Sequence, residues 1–378
     1  MPTARVVYLF GNGLSLAFSK DYYSLPALTA RISQRLSAMT LPDHSTLLEQ
    51  LEAVGATIRA QSPPRDFEDI AGPIDSLASA LSDLGPLIRL ADTREQKAAL
   101  TDLSRKLHRL YVQAVGAVLE VVVDHAAAKG DWNRVNAAAE DVVRQARETK
   151  SSVHVFVLNY DALLDSALLE AVRASRRVQM HDEFYGGETW TVTVPNAEGR
   201  PVQIPALPWR HGSFVLGEPH VCLHHLHGAG TWLLADQQVF KAKRLDRLRE
   251  IGVFSAWAEG REDPHGRGLA EPLVLLGNQK ERMVARWPFS ETYQSFATAV
   301  ATADELVLAG YSFRDRQLNQ VVVQNRRPGC GVIVVNPSPS LDERAVGREL
   351  GLPKNNQDLQ TIRQPLPEGL AARRRRRG

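Results

Sequence analysis

The sequence predicts an α/β fold: a parallel sheet covered by helices on both faces, with a helical subdomain inserted near its start. Several short apolar runs do not alternate with polar residues, the pattern of strands buried on both faces. They lie at 5–10 (RVVYLF), 153–158 (VHVFVL), 220–226 (HVCLHHL), 272–277 (PLVLLG), 305–310 (ELVLAG) and 331–336 (GVIVVN). Almost all end in Gly, Asn or His, and helical segments separate them. Roughly 140 residues rich in Ala and Leu at helical spacing divide the first run from the second, far more than a strand crossover needs.

The sheet domain is therefore assigned to 1–18 and 151–365, and the inserted helical subdomain to 19–150. A smaller insertion at 176–219 reads as a β-hairpin turning at NAEG. The end of the chain, 366–378, carries AARRRRRG. Adjacent like charges from Arg373 to Arg377 predict a disordered arm, either simply solvated or touching nucleic acid or an acidic partner.

Composition narrows the function classes. At 378 residues and 44% hydrophobic content the chain can bury a sizeable core. A formal net charge of +2 excludes a polycation built to coat nucleic acid. Two cysteines, Cys222 and Cys330, with no CxxC pair, do not supply a structural zinc site. Such sparse cysteine suits a reducing cytoplasm. The first residues lack the long apolar stretch of a signal peptide, and no run reaches the ~20 apolar residues of a membrane span. A soluble cytoplasmic protein, with no membrane contact, is expected.

Chemistry is expected where the strands end. Gly11, Asn12, Gly13 and Ser15 follow the first strand and open a helix. The glycines would let a ligand phosphate approach backbone N–H groups, although a tight turn without ligand explains them as well. Asn159, Tyr160 and Asp161 follow the second strand. Asp161 can cap the helix after it, which leaves Asn159 unexplained. Of His224, His225 and His227, alternation along a strand puts His225 and His227 on one face and His224 on the other. No carboxylate stands at a fixed spacing from them, so a metal is not expected. His227, at the strand end before Gly228, is the one suited to proton transfer. Gly310 ends a further strand, with Ser312 and Asp315 at the start of the next helix, and Asn336 ends another. All strands of a parallel sheet point the same way, so these polar ends should share one rim.

Taken in order, GNGLS at 11–15, LNYD at 158–161, HLHG at 225–228, LAGYSFRD at 308–315 and VVNP at 334–337 resemble the sirtuin-like family in its prokaryotic defence-associated branch. The resemblance implies a Rossmann-like NAD-binding domain that acts on the bond between nicotinamide and ribose. It implies phosphate contacts from Gly11, Asn12, Gly13 and Ser15, and an essential Asn159 with Tyr160 and Asp161 beside it. It further implies a catalytic His227, Gly310 and Ser312 near the phosphates or ribose, and Asn336 at the adenine-side ribose. The chain departs from protein-deacylating relatives: it lacks their four-cysteine zinc module and their GIPDFR-like segment, with LAFSKDYYSLPAL standing there instead. The activity implied is therefore NAD+ glycohydrolysis serving anti-phage defence by abortive infection. The alternatives are an NAD- or ADP-ribose-binding scaffold and an NAD-dependent protein deacylase. Implied partners are further copies of the chain and a HerA-type ATPase or helicase, with NAD+ as substrate and no zinc.

Overall fold

The computed structural model describes residues 5–58, 66–83, 93–126, 130–184, 188–210, 220–261, 269–276, 284–352 and 358–375. Arg376, Arg377 and Gly277 lie outside these residues, as do parts of the 19–150 and 176–219 segments. The strands, numbered in chain order, are β1 (Val6–Phe10), β2 (Val153–Val157), β3 (Gln179–Asp182), β4 (Trp190–Pro195), β5 (Pro201–Pro208), β6 (His220–His225), β7 (Gly228–Ala235), β8 (Gln238–Ala242), β9 (Glu271–Val274), β10 (Glu305–Ala309), β11 (Gly331–Val335) and β12 (Leu359–Ile362).

Among the described residues they form two sheets. The larger has the order β12-β11-β10-β1-β2-β6-β3, with every pairing parallel. Its central strands β1, β10 and β11 are buried on both faces because both parities of each supply apolar residues. Val6, Tyr8 and Phe10 of β1 join one core cluster while Val7 and Leu9 join the other. In β11, Ile333 and Val335 face the first core and Val332 and Val334 the second. The helices Trp132–Thr149 and Leu163–Ser175 cover the first face, contributing Val135, Ala138, Leu164 and Leu168. Phe289–Thr302 and Arg316–Asn325 cover the second with Phe296, Val300, Leu318 and Val322. Cutting a side chain such as Leu9 back to alanine should cost about 2–5 kcal/mol.

Between β1 and β2 the chain is helical, with Leu25–Ser37, Leu47–Ile58, Phe67–Asp83 and Arg94–Ala126 before Trp132–Thr149. The 33-residue Arg94–Ala126 helix packs against the short helix Val253–Ala258. Gly116 makes that approach possible, since a Cβ there would stand 2.4 Å from the Ala258 nitrogen.

Two expectations need correction. The run at 272–277 was expected in the parallel sheet, but β9 pairs antiparallel with β7 in a second sheet of order β4-β5-β8-β7-β9. An apolar run records burial and not the direction of its partner. The 366–378 arm was expected to be disordered, but Glu368–Arg375 is helical and Arg373 is buried. Its guanidinium donates from Nε to Glu305 Oε1 (2.7 Å), from Nη1 to the Tyr8 hydroxyl (2.8 Å) and from Nη2 to Gln145 Oε1 (3.2 Å). A charge this well partnered can be buried where a bare one cannot. No helix among the described residues is long and apolar enough to cross a membrane.

Candidate functional site

Backbone hydrogen bonds continue across the sheet one residue beyond the strand ends. Leu226 donates to Val157 (3.0 Å), Leu158 to Phe10 (3.1 Å), Gly11 to Ala309 (3.0 Å), Gly310 to Val335 (2.8 Å) and Asn336 to Ile362 (3.1 Å). The carboxyl ends of β6, β2, β1, β10, β11 and β12 thus form one continuous rim. Within it, β1 and β10 are neighbours whose following segments diverge. Leu14 and Phe18 after β1 pack into the first core, whereas Leu318 and Val322 after β10 pack into the second. Divergence of this kind between adjacent parallel strands opens the crevice where ligands of open α/β sheets bind.

Where these segments part, the two loops interlock. Gly13 N–H donates to Gly310 O at 3.0 Å. A Cβ on Gly13 would lie 2.4 Å from the Gly310 Cα, and one on Gly310 would lie 2.5 Å from the Gly13 Cα. Gly310 also has φ +64, which side-chain-bearing residues adopt at a cost. The close-packing account of these glycines is therefore real, and it also places the loop backbone at the rim. Gly310→Ala should lower stability by at least about 2 kcal/mol, read from a urea unfolding curve. The helix after Gly13 runs only to Phe18.

On the β1/β2 side, three predicted residues meet. Asn159 Nδ2 donates to Ser15 Oγ at 2.8 Å and to Gly11 O at 3.3 Å. Ser15 passes its own hydroxyl hydrogen to Asp161 Oδ2. The other Asp161 oxygen accepts the Leu163 N–H at 3.0 Å. Asp161 thus serves the start of the helix with one oxygen and the Ser15–Asn159 cluster with the other. Asn159, Asp161 and Ser15 are all buried. Ala162, just beyond, holds φ +54, a strained turn for a residue with a side chain.

Burial pushes the Asp161 carboxyl above its ordinary value of 3.8, against the Ser15 and Leu163 hydrogen bonds that favour the anion. The sign follows from linkage. A carboxyl whose folded value is raised binds more protons folded than unfolded, so its ionisation costs stability as pH climbs above 3.8. The stability of the wild type relative to Asp161→Asn should therefore fall as pH rises from 4 to 7. Urea midpoints across that range would show it.

His227 lies in the turn between β6 and β7 and is buried. Its Nε2 is 3.2 Å from Asp315 Oδ2 and 3.3 Å from the Tyr293 hydroxyl. Burial first, then the Asp315 charge, pushes the Tyr293 phenol well above 10, so it stays protonated. The expectation that His225 and His227 share a face fails. His225 pairs with Asp165 (3.0 Å) on the Leu163–Ser175 helix, which packs in the first core, whereas Tyr293 belongs to the second. The strand ends at His225, and alternation ends with it. His224 holds Glu183 at 2.6 Å through Nδ1. Among the described residues no group of three or more His, Cys, Asp or Glu is arranged to hold a metal ion.

Tyr160 bridges the two halves of the site. Its hydroxyl donates to Leu275 O (2.5 Å), Leu275 N–H donates to His227 O (2.9 Å), and Tyr160 O accepts from Gly230 N–H (3.0 Å). Asn12, with Nδ2 on Tyr23 O at 3.0 Å, and Ser312 are exposed on the rim. Asn336 is half-buried, giving Nδ2 to Tyr311 O (2.9 Å) and accepting the Ser338 N–H (2.9 Å). Exposed Asn12 and Ser312 thus flank buried residues, with Gly11 and Ser15 after β1 and Gly310 after β10 all buried. Tyr160 and the strand-end ladder connect the Asn159 cluster to the His227 segment. A surface depression of about 620 Å³, lined by Asp342, Arg344, Thr361, Arg363 and Gln364, lies at the carboxyl end of β12, four strands from β2 along the sheet.

The sequence gives no local signal for Tyr293, which sits on the Phe289–Thr302 helix, and places Asp315 at a helix start on the rim without linking it to His227. No protein-family model and no curated protein matches the chain. Among solved structures it is similar to a Sir2 homologue in complex with NAD, at 12% identity over 99% of this chain and 91% of that one, with a TM-score of 0.37. It is also similar to a mutant Sir2 homologue in complex with ADP-ribose, at 12% identity over 98% and 92%, with a TM-score of 0.36. A third similarity is to a Sir2 enzyme structure, at 15% identity over 69% and 79%, with a TM-score of 0.35.

Proposed function

We propose that the protein is an NAD+ glycohydrolase that cleaves the nicotinamide–ribose bond to give nicotinamide and ADP-ribose. The observation that carries this reading is the meeting of Asn159, Ser15 and Asp161, from two separate strand ends, in one buried cluster beside the point where the segments after β1 and β10 diverge. The ordered motifs that resemble sirtuin-like proteins support it, as does an imidazole on the same rim.

The chemistry asks for residues of this kind. As the C1′–N bond breaks, its electron pair leaves with the nicotinamide ring, which departs neutral, and positive charge gathers on the ribose. Water adds to C1′ and gives up a proton, which His227 can accept and return to solvent. Asn159 can hold the ribose or that water through its amide, and an Asp161 carboxylate can steady the cation. Exclusion of bulk water around buried groups strengthens each of these interactions. In cells this activity would deplete NAD+ during anti-phage defence, in a homo-oligomer working with a HerA-type ATPase.

Chromatography of NAD+ incubated with the full chain, alone and with such an ATPase, tests the reading. Nicotinamide and ADP-ribose should appear in equal amounts. NAD+ that is bound and returned intact would make the protein a nucleotide-binding scaffold. Release that requires an acyl-lysine peptide would make it a deacylase.

A further inference from the structure

We propose that Asp315 is a positioning residue for His227, fixing the imidazole in the tautomer that carries its hydrogen on Nε2. The catalytic consequence rests on the hydrolase reading above; the ring's orientation stands on geometry alone. The two Asp315 oxygens have separate partners. Oδ1 accepts the Leu318 N–H at 3.1 Å and caps the Arg316–Asn325 helix, while Oδ2 meets His227 Nε2 at 3.2 Å. A carboxylate only accepts hydrogen bonds, so the ring nitrogen facing it carries the hydrogen. Nδ1 is then the nitrogen that takes up a proton.

The surroundings hold this carboxylate still. Its helix is anchored in the second core by Leu318 and Val322. The Tyr311 hydroxyl donates to the Asp315 main-chain oxygen at 3.0 Å. Phe313 turns the chain back with φ +60, a second strained residue beside the rim. Tyr293, from the Phe289–Thr302 helix, closes on the same ring nitrogen.

A buried His–carboxylate pair is commonly structural, and the described residues include His224–Glu183 and His225–Asp165. Both of those histidines lie inside β6. His227 lies past the strand end, two residues after His225, where the rim begins. A carboxylate that orients a catalytic imidazole sets both its tautomer and its basicity.

Asp315→Asn is the informative variant, because an asparagine oxygen still caps the helix while its amide now faces His227. In ¹H–¹⁵N spectra of histidine-labelled full-length protein, with His227→Gln identifying the signals, the wild type should show Nε2–H. Asp315→Asn should shift the ring to Nδ1–H, since an amide donor selects the other tautomer. Its kcat for nicotinamide release should fall about 10- to 100-fold with KM within about twofold. A merely structural Asp315 would lower the unfolding midpoint and leave the tautomer alone. An unchanged tautomer, or an unchanged kcat in an active enzyme, overturns the proposal. A wild type that releases no nicotinamide overturns the hydrolase reading instead, and the spectra still decide the ring's orientation.

Discussion

Arg373→Ala is expected to destabilise the fold by about 3–5 kcal/mol, the cost of leaving a buried charge without its partner. Glu305, at the start of β10, is buried and is held by Arg373 Nε at 2.7 Å. The same guanidinium reaches Tyr8 on β1 and Gln145 on the Trp132–Thr149 helix. Tyr8 in turn donates to Asp141 Oδ2 at 3.3 Å. One side chain from the end of the chain therefore ties two central strands to a covering helix. Arg375, two residues on and exposed, serves as the control: Arg375→Ala should change stability by no more than about 0.5 kcal/mol. Urea unfolding of both variants decides the matter. Equal midpoints would mean that the terminal helix does not dock. Replacing Arg373 and Glu305 together by apolar residues of similar volume should recover most of the loss.

Asn159→Ala is expected to reduce nicotinamide release by about 10²–10³-fold, the usual effect of removing one oriented hydrogen-bond donor from a reaction centre. The same change should cost only about 1 kcal/mol of stability. Ser15 keeps its bond to Asp161 when the amide is gone, so no buried charge is stranded. Product release and unfolding midpoints measured on one preparation separate the two effects. An activity loss no larger than the stability loss explains would make Asn159 a structural residue.

The rim was legible in the sequence because burial on both faces and polar strand ends are local signals. Five apolar runs, at 5–10, 153–158, 220–226, 305–310 and 331–336, supply strands of the parallel sheet. Its edges were not legible. β3 reads Gln-Met-His-Asp and β12 reads Leu-Gln-Thr-Ile, short and too polar to stand out. The run at 272–277 looked like its neighbours, yet its pairing direction depends on β7, more than thirty residues earlier. Within the candidate site, the polar residues that follow strands stand out in the sequence by their position alone. Tyr293 does not, because a tyrosine on an apolar helix face gives no sign that it will meet an imidazole 66 residues away. Arg373 was hidden by its own neighbours. A run of arginines reads as one solvated segment, and only the positions of Glu305 and Tyr8 single out the one that goes inside.

The central claim is that the ends of β1, β2, β10 and β11 act together as one dinucleotide site. Amide hydrogen exchange on the full-length His227→Ala protein, with and without saturating NAD+, tests it most directly. Simultaneous slowing in peptides covering 11–15, 158–161, 310–315 and 334–338 is the predicted result. Slowing confined to a single one of these segments, or appearing only elsewhere in the chain, would contradict it.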